Sequence, residues 1–352
     1  MTRTELLRAL PKPELHVHLD GSLRPDTMLE LAHEAGVALP ANSREELERM
    51  MVADNADDLD DYLQRFEWTV AVMQSASALE RIAHELALDH HAENVRYLEV
   101  RWSPRLTTRE GLSLDEALLA PIRGLRRAAE ETGIVWRVIV CALRHWPVEV
   151  SCELAELAVA HRSHGVAGFD LAAGEAGHPA AAHADAFTIA ARGNLACTVH
   201  AGEAWGASSV RQALVEGRAQ RIGHGTRLRE DPDLEAYVRD RQICLEVCLT
   251  SNLQTRVVPT LAAHPARRYF DLGIPVSLGT DNRLISGTTL TREYALAAEH
   301  LGFTVSEVAA IARTGFEHAF LPLDERRALL ARIDREIERL GLTPGERSVA
   351  RR

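Results

Sequence analysis

Lysine is almost absent from this chain. Lys12 is the only one among 40 basic residues in a length of 352. Arginine has many GC-rich codons and lysine has none, so the imbalance reads as codon bias. It nevertheless removes lysine from most mechanisms. Aromatic residues are scarce, at 5% against 46% hydrophobic overall, so an aliphatic core of Ala, Leu, Val and Ile is expected. The five cysteines, Cys141, Cys152, Cys197, Cys244 and Cys248, are odd in number and contain no C-x-x-C pair. No disulfide framework is implied. Four of them lie in or beside apolar runs, where free cysteine packs as a small hydrophobe. No stretch approaches eighteen consecutive apolar residues, and the first eight residues lack the apolar region and cleavage site of a secretory leader. A reducing cytoplasm is the expected location. The formal net charge of −11 argues against nucleic acid or an anionic membrane as partner, though not against a neutral nucleoside.

What the chain does contain is alternation. Apolar, β-branched runs at Leu15–Leu19, Val95–Trp102, Val135–Leu143, Val166–Leu171, Ala196–His200, Arg221–His224, Ile243–Cys248 and Pro275–Thr280 read as strands. Segments with helical periodicity separate them, such as Leu79, Ile82, Ala83 and Leu86 on one face. Pro25 and Gly36 bracket a first helix. Eight strands with helices between them predict an α/β fold, a closed (β/α)₈ TIM barrel. Two or three extra helices are expected after strand one, from Pro25 to His91, over the barrel mouth. More follow strand eight, at Leu290–Leu301, Val305–Phe316 and Glu325–Leu340, the last with Leu330, Ile333, Ile337 and Leu340 as its apolar stripe. The tail from Thr343 to Arg352 is polar and expected to fray. No linker, fixed-period repeat or low-complexity tract is visible, so residues 1–352 are expected to form one domain.

His16-Val17-His18, His200, His224 and Asp281 each fall at the end of a predicted strand, where active sites of such barrels sit. Residues i and i+2 of a strand face the same side, so His16 and His18 point together. An isolated H-x-H pair means little, since roughly one is expected by chance among 16 histidines in 352 residues. Coincident ligand types on strands one, five, six and eight mean more. Neutral imidazoles plus a carboxylate make a nest for Zn²⁺. Glu203 lies three residues past His200, within reach of a metal-bound water, which points to metal-assisted hydrolysis. In a strand, i and i+3 face opposite sides, so the chain must turn after His200, and Ala201-Gly202 permits it. Other histidines read differently. His90-His91 and His161/His164 fall on helical segments and are expected to be solvated. His145, His178 and His264 are assigned to loops, as structural or surface residues. Asp57-Asp58 with Asp60-Asp61 lacks the glycine and distal glutamate of a Ca²⁺ loop and reads as a solvated acidic face.

The stretches Pro11-Lys12-Pro13-Glu14-Leu15-His16-Val17-His18-Leu19-Asp20-Gly21-Ser22-Leu23, Val199-His200-Ala201-Gly202-Glu203, Arg221-Ile222-Gly223-His224-Gly225 and Gly279-Thr280-Asp281 together resemble the adenosine deaminase family of the amidohydrolase superfamily. The likeness runs from about Leu10 to Leu340. It implies one Zn²⁺ per chain held by His16, His18, His200 and Asp281. It implies catalysis by Glu203, His224 and Asp281, and hydrolytic loss of the 6-amino group of a purine nucleoside. Glu203 would give its proton to the ring nitrogen. His224 would accept the water proton or orient the nucleophile. Asp20 would meet a ribose hydroxyl. His18, Ala173, Gly174, Asn282, Ser103, Tyr62 and Phe66 would line the substrate pocket. Adenosine is the expected substrate, with 2′-deoxyadenosine beside it.

Two positions depart from the pattern. Asn282 stands where many members have a second acid, and an amide N–H can still donate to a purine nitrogen. In Asp170-Leu171-Ala172-Ala173-Gly174-Glu175, alanine replaces a frequent glycine, and its added methyl crowds the base. The alternatives are deamination of aminodeoxyfutalosine or another modified 6-aminopurine, adenine deamination, and a non-catalytic nucleoside-binding relative. A binuclear hydrolase bridged by a carbamylated lysine is nearly excluded, because Lys12 precedes strand one.

Overall fold

Parallel strands covered on both faces need apolar residues on both faces, and eight such runs form strands here. The structure is a computed structural model that describes residues 1–54 and 56–343. Past Thr343, the tail expected to fray lies outside the described residues. The strands are β1 (Lys12–His18), β2 (Val95–Trp102), β3 (Val135–Leu143), β4 (Val166–Ala172), β5 (Ala196–Ala201), β6 (Arg221–His224), β7 (Cys244–Val247) and β8 (Val276–Leu278). They pair in sequence order, all parallel. Three strands have the expected bounds, and most of the others differ by one or two residues at an end. β1 starts three residues earlier than expected. The barrel seam is joined at the future site itself. Val17 bridges Asp281, the His18 N–H donates to the Asp281 carbonyl at 2.7 Å, and the Asp281 N–H donates to the His16 carbonyl at 2.8 Å.

Among the described residues five helices, not two or three, separate β1 from β2: Pro25–Ala35, Arg44–Met51, Leu59–Leu63, Phe66–Ala71 and Ala76–Ala92. The middle ones are too short to show a helical period. Ser43, Asp58 and Ser75 cap three of the five with their side chains. Asp58 is thus a cap rather than merely part of an acidic surface. At the far end, Leu290–His300, Val305–Glu317 and Leu323–Arg339 follow β8. Val305–Glu317 packs on β1 and β8 and covers the seam. In Leu323–Arg339 the fully buried positions are Leu329, Ile333 and Ile337.

The aliphatic core lies between the sheet and its helices. The barrel interior is charged instead. Arg221 joins Glu99 and Glu246, while Arg101 joins Glu246 and Asp170, all 0–1% exposed. Six strands contribute to this lattice once His16 and Thr198 are included. Removing one member leaves a buried charge unpaired, which typically costs about 3–5 kcal/mol. Lys12 is fully buried too, and its ammonium donates to the carbonyls of Leu7, Arg8 and Leu10, ending the helix Arg3–Ala9. Burial lowers its pKa to about 7. His90 and His161 are buried, contrary to expectation. His90 Nδ1 donates to the Leu86 carbonyl, and His161 Nε2 pairs with Asp115. A helix position does not by itself reveal which face is covered.

Candidate active site

The strand ends that carry the histidines turn sharply. His224, Asp281 and Ala173 hold φ of 63°, 58° and 74°, a left-handed region that only glycine enters freely. Strain at positions converging on one place is a mark of function. Gly202, at φ 70°, makes the turn anticipated after His200. Gly223 is needed for space: a Cβ there would lie 3.1 Å from both the His16 ring and the His200 backbone.

His16 Nε2 and His18 Nε2 each lie 3.4 Å from Asp281 Oδ1, and His18 Nε2 lies 3.0 Å from His200 Nε2. Ligand atoms of His16, His200, His224 and Asp281 fall within 4.8 Å of one another. Behind them, His16 Nδ1 meets Glu246 at 2.9 Å and His200 Nδ1 meets Asp170 at 3.0 Å. Those carboxylates accept hydrogen bonds from the Nδ1–H groups, so in the neutral rings both Nε2 atoms turn bare lone pairs inward. His16 Nε2 is buried without a hydrogen-bond partner. Converging lone pairs backed by carboxylates are the arrangement metal-ligating histidines adopt, and the residues fit a divalent cation. Arg101 ties the two supporting carboxylates together. Against the pull of burial, Arg101 and Arg221 hold Glu246 well below the usual carboxylate range.

Glu203 sits beside this cluster, its Oε2 3.5 Å from His224 Nε2. Burial first, then Asp281 and Glu175, raises its pKa to about 8, so it holds its proton at neutral pH. Glu175 fixes the loop that carries it by accepting the backbone N–H groups of Gly202, Glu203 and Trp205 at 2.7, 3.0 and 2.8 Å. Glu175→Ala should therefore let Glu203 drift. Because a misplacement of about 1 Å costs about 10²-fold, kcat should drop by about that factor while metal content stays. An unchanged kcat would show that Glu203 is held by other means.

A small cavity of about 40 Å³ lies at the cluster. His18, Phe66, Tyr62 and Ala173 wall it together with His200, Glu203, His224, Asp281 and Asn282. Asp20, Ser103 and Gly174 are not among its walls. Asp20 is buried, its Oδ1 without a partner, and burial raises its pKa to about 7. Ser103 Oγ is likewise buried and unpartnered. The space suits about one water, not a purine. Leu59 and Glu203 also border a larger open cleft of about 550 Å³. The short helix Leu59–Leu63 thus borders both cleft and cavity. Asn282 Nδ2 donates to the Tyr62 hydroxyl at 3.0 Å, which also meets Ser286 at 2.8 Å.

Sequence reasoning assigned no role to Asp170, Glu246, Arg101, Glu175, Asn252 or His264. A signal existed for three of them: Val100-Arg101-Trp102, Phe169-Asp170-Leu171 and Leu245-Glu246-Val247 each set one charge inside an apolar strand. An unpaired charge there would be prohibitively costly.

The adenosine deaminase family model matches residues 11–336. An adenosine deaminase of Mycobacterium leprae is 40% identical over 348 residues, 93% of this chain and 94% of that one. A probable adenosine deaminase of Dictyostelium discoideum is 39% identical over 90% of this chain, which spans only 41% of that protein's length. Among solved structures, an amidohydrolase of Burkholderia ambifaria with bound Zn superposes with a TM-score of 0.86 at 26% identity, covering 97% of this chain and 96% of that one.

Proposed function

The chain belongs to the adenosine deaminase family, and from that membership we propose that it hydrolyses adenosine, and 2′-deoxyadenosine, to the 6-oxo nucleoside and ammonia with one Zn²⁺ per chain. The observation that carries this reading is the buried Glu203 carboxyl, 3.5 Å from His224 Nε2, beside converging ligand atoms of His16, His200, His224 and Asp281. We assign His16, His18, His200 and Asp281 to the ion. Their ligand atoms lie 3.0 and 3.4 Å apart, a spacing that one small divalent cation would span. When bound, the ion supplies Lewis acidity that lets water attack at neutral pH.

The chain's own residues do the rest. Glu203 Oε–H donates to the purine N1 as water adds to C6, so negative charge does not build on the ring. As the C6–N bond breaks, one of the two water protons passes to the departing amino group, which leaves as ammonia, and the other returns to the Glu203 carboxylate as the C6 oxygen becomes a carbonyl. Asp281 stays ionised: burial opposes this, but the imidazoles around it, His16 first, hold its carboxyl well below the usual range. Asp20, buried with a free oxygen, is assigned to a ribose hydroxyl, Ser103 and Gly174 to outer substrate contacts, and the Ala173 N–H to the base. Asn282 can serve a purine nitrogen despite its link to Tyr62. A phenol hydroxyl can donate as well as accept, so the amide can turn its N–H toward the base. Residues 1–352 are read as one domain. The buried free thiols of Cys141, Cys197 and Cys248 support a reducing, cytoplasmic setting. Among the described residues, no helix is long and apolar enough to cross a membrane.

The test is an absorbance and ammonia screen across 6-aminonucleosides, with metal quantified in the same preparation. Adenosine should give a kcat/KM in the range of about 10⁴–10⁸ M⁻¹ s⁻¹ with one zinc per chain. Faster turnover of aminodeoxyfutalosine by several orders would replace the substrate. No ammonia from any 6-aminopurine would remove the activity.

A further inference from the structure

His224 can orient a water or deprotonate it, and the choice turns on which ring nitrogen bears the proton. A hydrogen-bond chain outside the catalytic set decides it. The chain starts at a donor that cannot be reassigned, the backbone N–H of Ala266, which donates to His264 Nδ1 at 3.1 Å. His264 Nδ1 is therefore bare and its proton sits on Nε2. That Nε2 lies 3.2 Å from Asn252 Oδ1, and the Thr226 hydroxyl donates to the same oxygen at 3.2 Å. The fixed His264 donor identifies that atom as the amide oxygen, and the Thr226 hydroxyl can donate to it as well. The other end of the amide, Nδ2, then donates to His224 Nδ1 at 3.0 Å. His224 Nδ1 must be bare, so its proton sits on Nε2, the atom facing Glu203. Asn252 is fully buried, and His264 and His224 are at most 4% exposed, so water does not compete for these partners.

We infer that Asn252, locked by His264 and Thr226, fixes His224 as a hydrogen-bond donor at Nε2. The consequence decides between the two expected roles of His224, orienting the nucleophile rather than taking its proton. A nitrogen already carrying hydrogen neither accepts that proton nor ligates a cation. Shifting the proton to Nδ1 would require Asn252 to turn over and set its amide N–H₂ against the fixed His264 N–H. His224 thus aims an N–H at the attacking oxygen, and Asn252 and His264 are positioning residues. The same chain separates His224 from the four assigned ligands, although its ring lies among them. The inference about water rests on the proposed deamination. The ring state does not.

The test reads the ring directly. Nitrogen-15 NMR of histidine-labelled enzyme, with its metal retained and no substrate added, distinguishes bare from protonated ring nitrogens. The His224 signals are assigned by their loss in His224→Gln. The expected result is a bare Nδ1 and a protonated Nε2. Asn252→Asp replaces the donor by an acceptor that His264 and Thr226 can still bind, and should move a proton onto His224 Nδ1. In a serine-protease triad, an Asp→Asn change that imposes the wrong histidine tautomer lowers kcat by about 10⁴. A kcat loss of that order, with KM less affected, is expected for Asn252→Asp. His264→Phe should lose about 10–10²-fold, and His264→Gln, which can still donate to Asn252, should retain more of the rate. A protonated Nδ1 in the unaltered enzyme overturns the inference. So does an Asn252→Asp enzyme that is less stable but has an unmoved proton or an unchanged kcat. Failure to deaminate any purine would strike the proposed function and leave the ring result standing.

Discussion

Glu203→Gln is expected to keep its zinc and lose about 10²–10⁴ in kcat, the usual worth of one acid–base group. Glutamine matches the carboxyl in size, so the cavity and the Thr255 contact at 3.3 Å survive. What disappears is the transferable proton. The pH profile carries the same signature. With a pKa near 8, Glu203 is an acid below that value, so wild-type turnover should fall as pH rises through about 8. Stability should respond as well. The unfolded carboxyl loses its proton near 4.5 and the folded one near 8, so folding takes up a proton between these values. The stabilisation is complete below 4.5 and declines as pH rises through 8. The glutamine variant lacks this dependence, and its Tm should fall less from pH 5 to 8 than that of the wild type. Full activity in Glu203→Gln would take Glu203 out of the chemistry. Loss of zinc would make it a structural support instead.

His200→Ala is expected to lose both metal and turnover, with a rate below that of Glu203→Gln. His16→Ala should behave in the same way. Each removes an imidazole whose lone pair is aimed inward by a buried carboxylate. Asp170→Asn is the milder change, costing about 10–100-fold in metal affinity by loosening His200. His224→Ala, by contrast, should keep its metal. Zinc counted per chain after dialysis against a chelator separates the cases. His16 adds a pH effect. Burial and Arg101 disfavour its charge, but Asp281 and Glu246 outweigh them and raise its pKa. A cation must displace that proton, so metal uptake should weaken as pH falls. Undiminished metal in His200→Ala would break the ligand assignment.

The positions of these groups were legible because residue type and strand end are local properties. His16, His18, His200, His224 and Asp281 each close a run whose apolar character is visible in a few residues. Helices such as Leu59–Leu63, with five residues, have too little length to show a period, and the cover over the mouth was undercounted accordingly. His90 was misread as solvated because helical periodicity ranks faces without saying what covers them.

By itself the sequence determined the barrel, the chemical types at its mouth and the class of reaction, since these follow from spacing along one strand or turn. Tertiary structure alone decided the charged barrel interior, the size of the cavity and the direction of each imidazole proton. Glu246 backs His16 from 230 residues away, and Asn252 reaches His224 across 28. The physical reason is that a hydrogen bond is set by which donor meets which acceptor in space. The folded barrel creates those meetings between segments that carry no mark of one another.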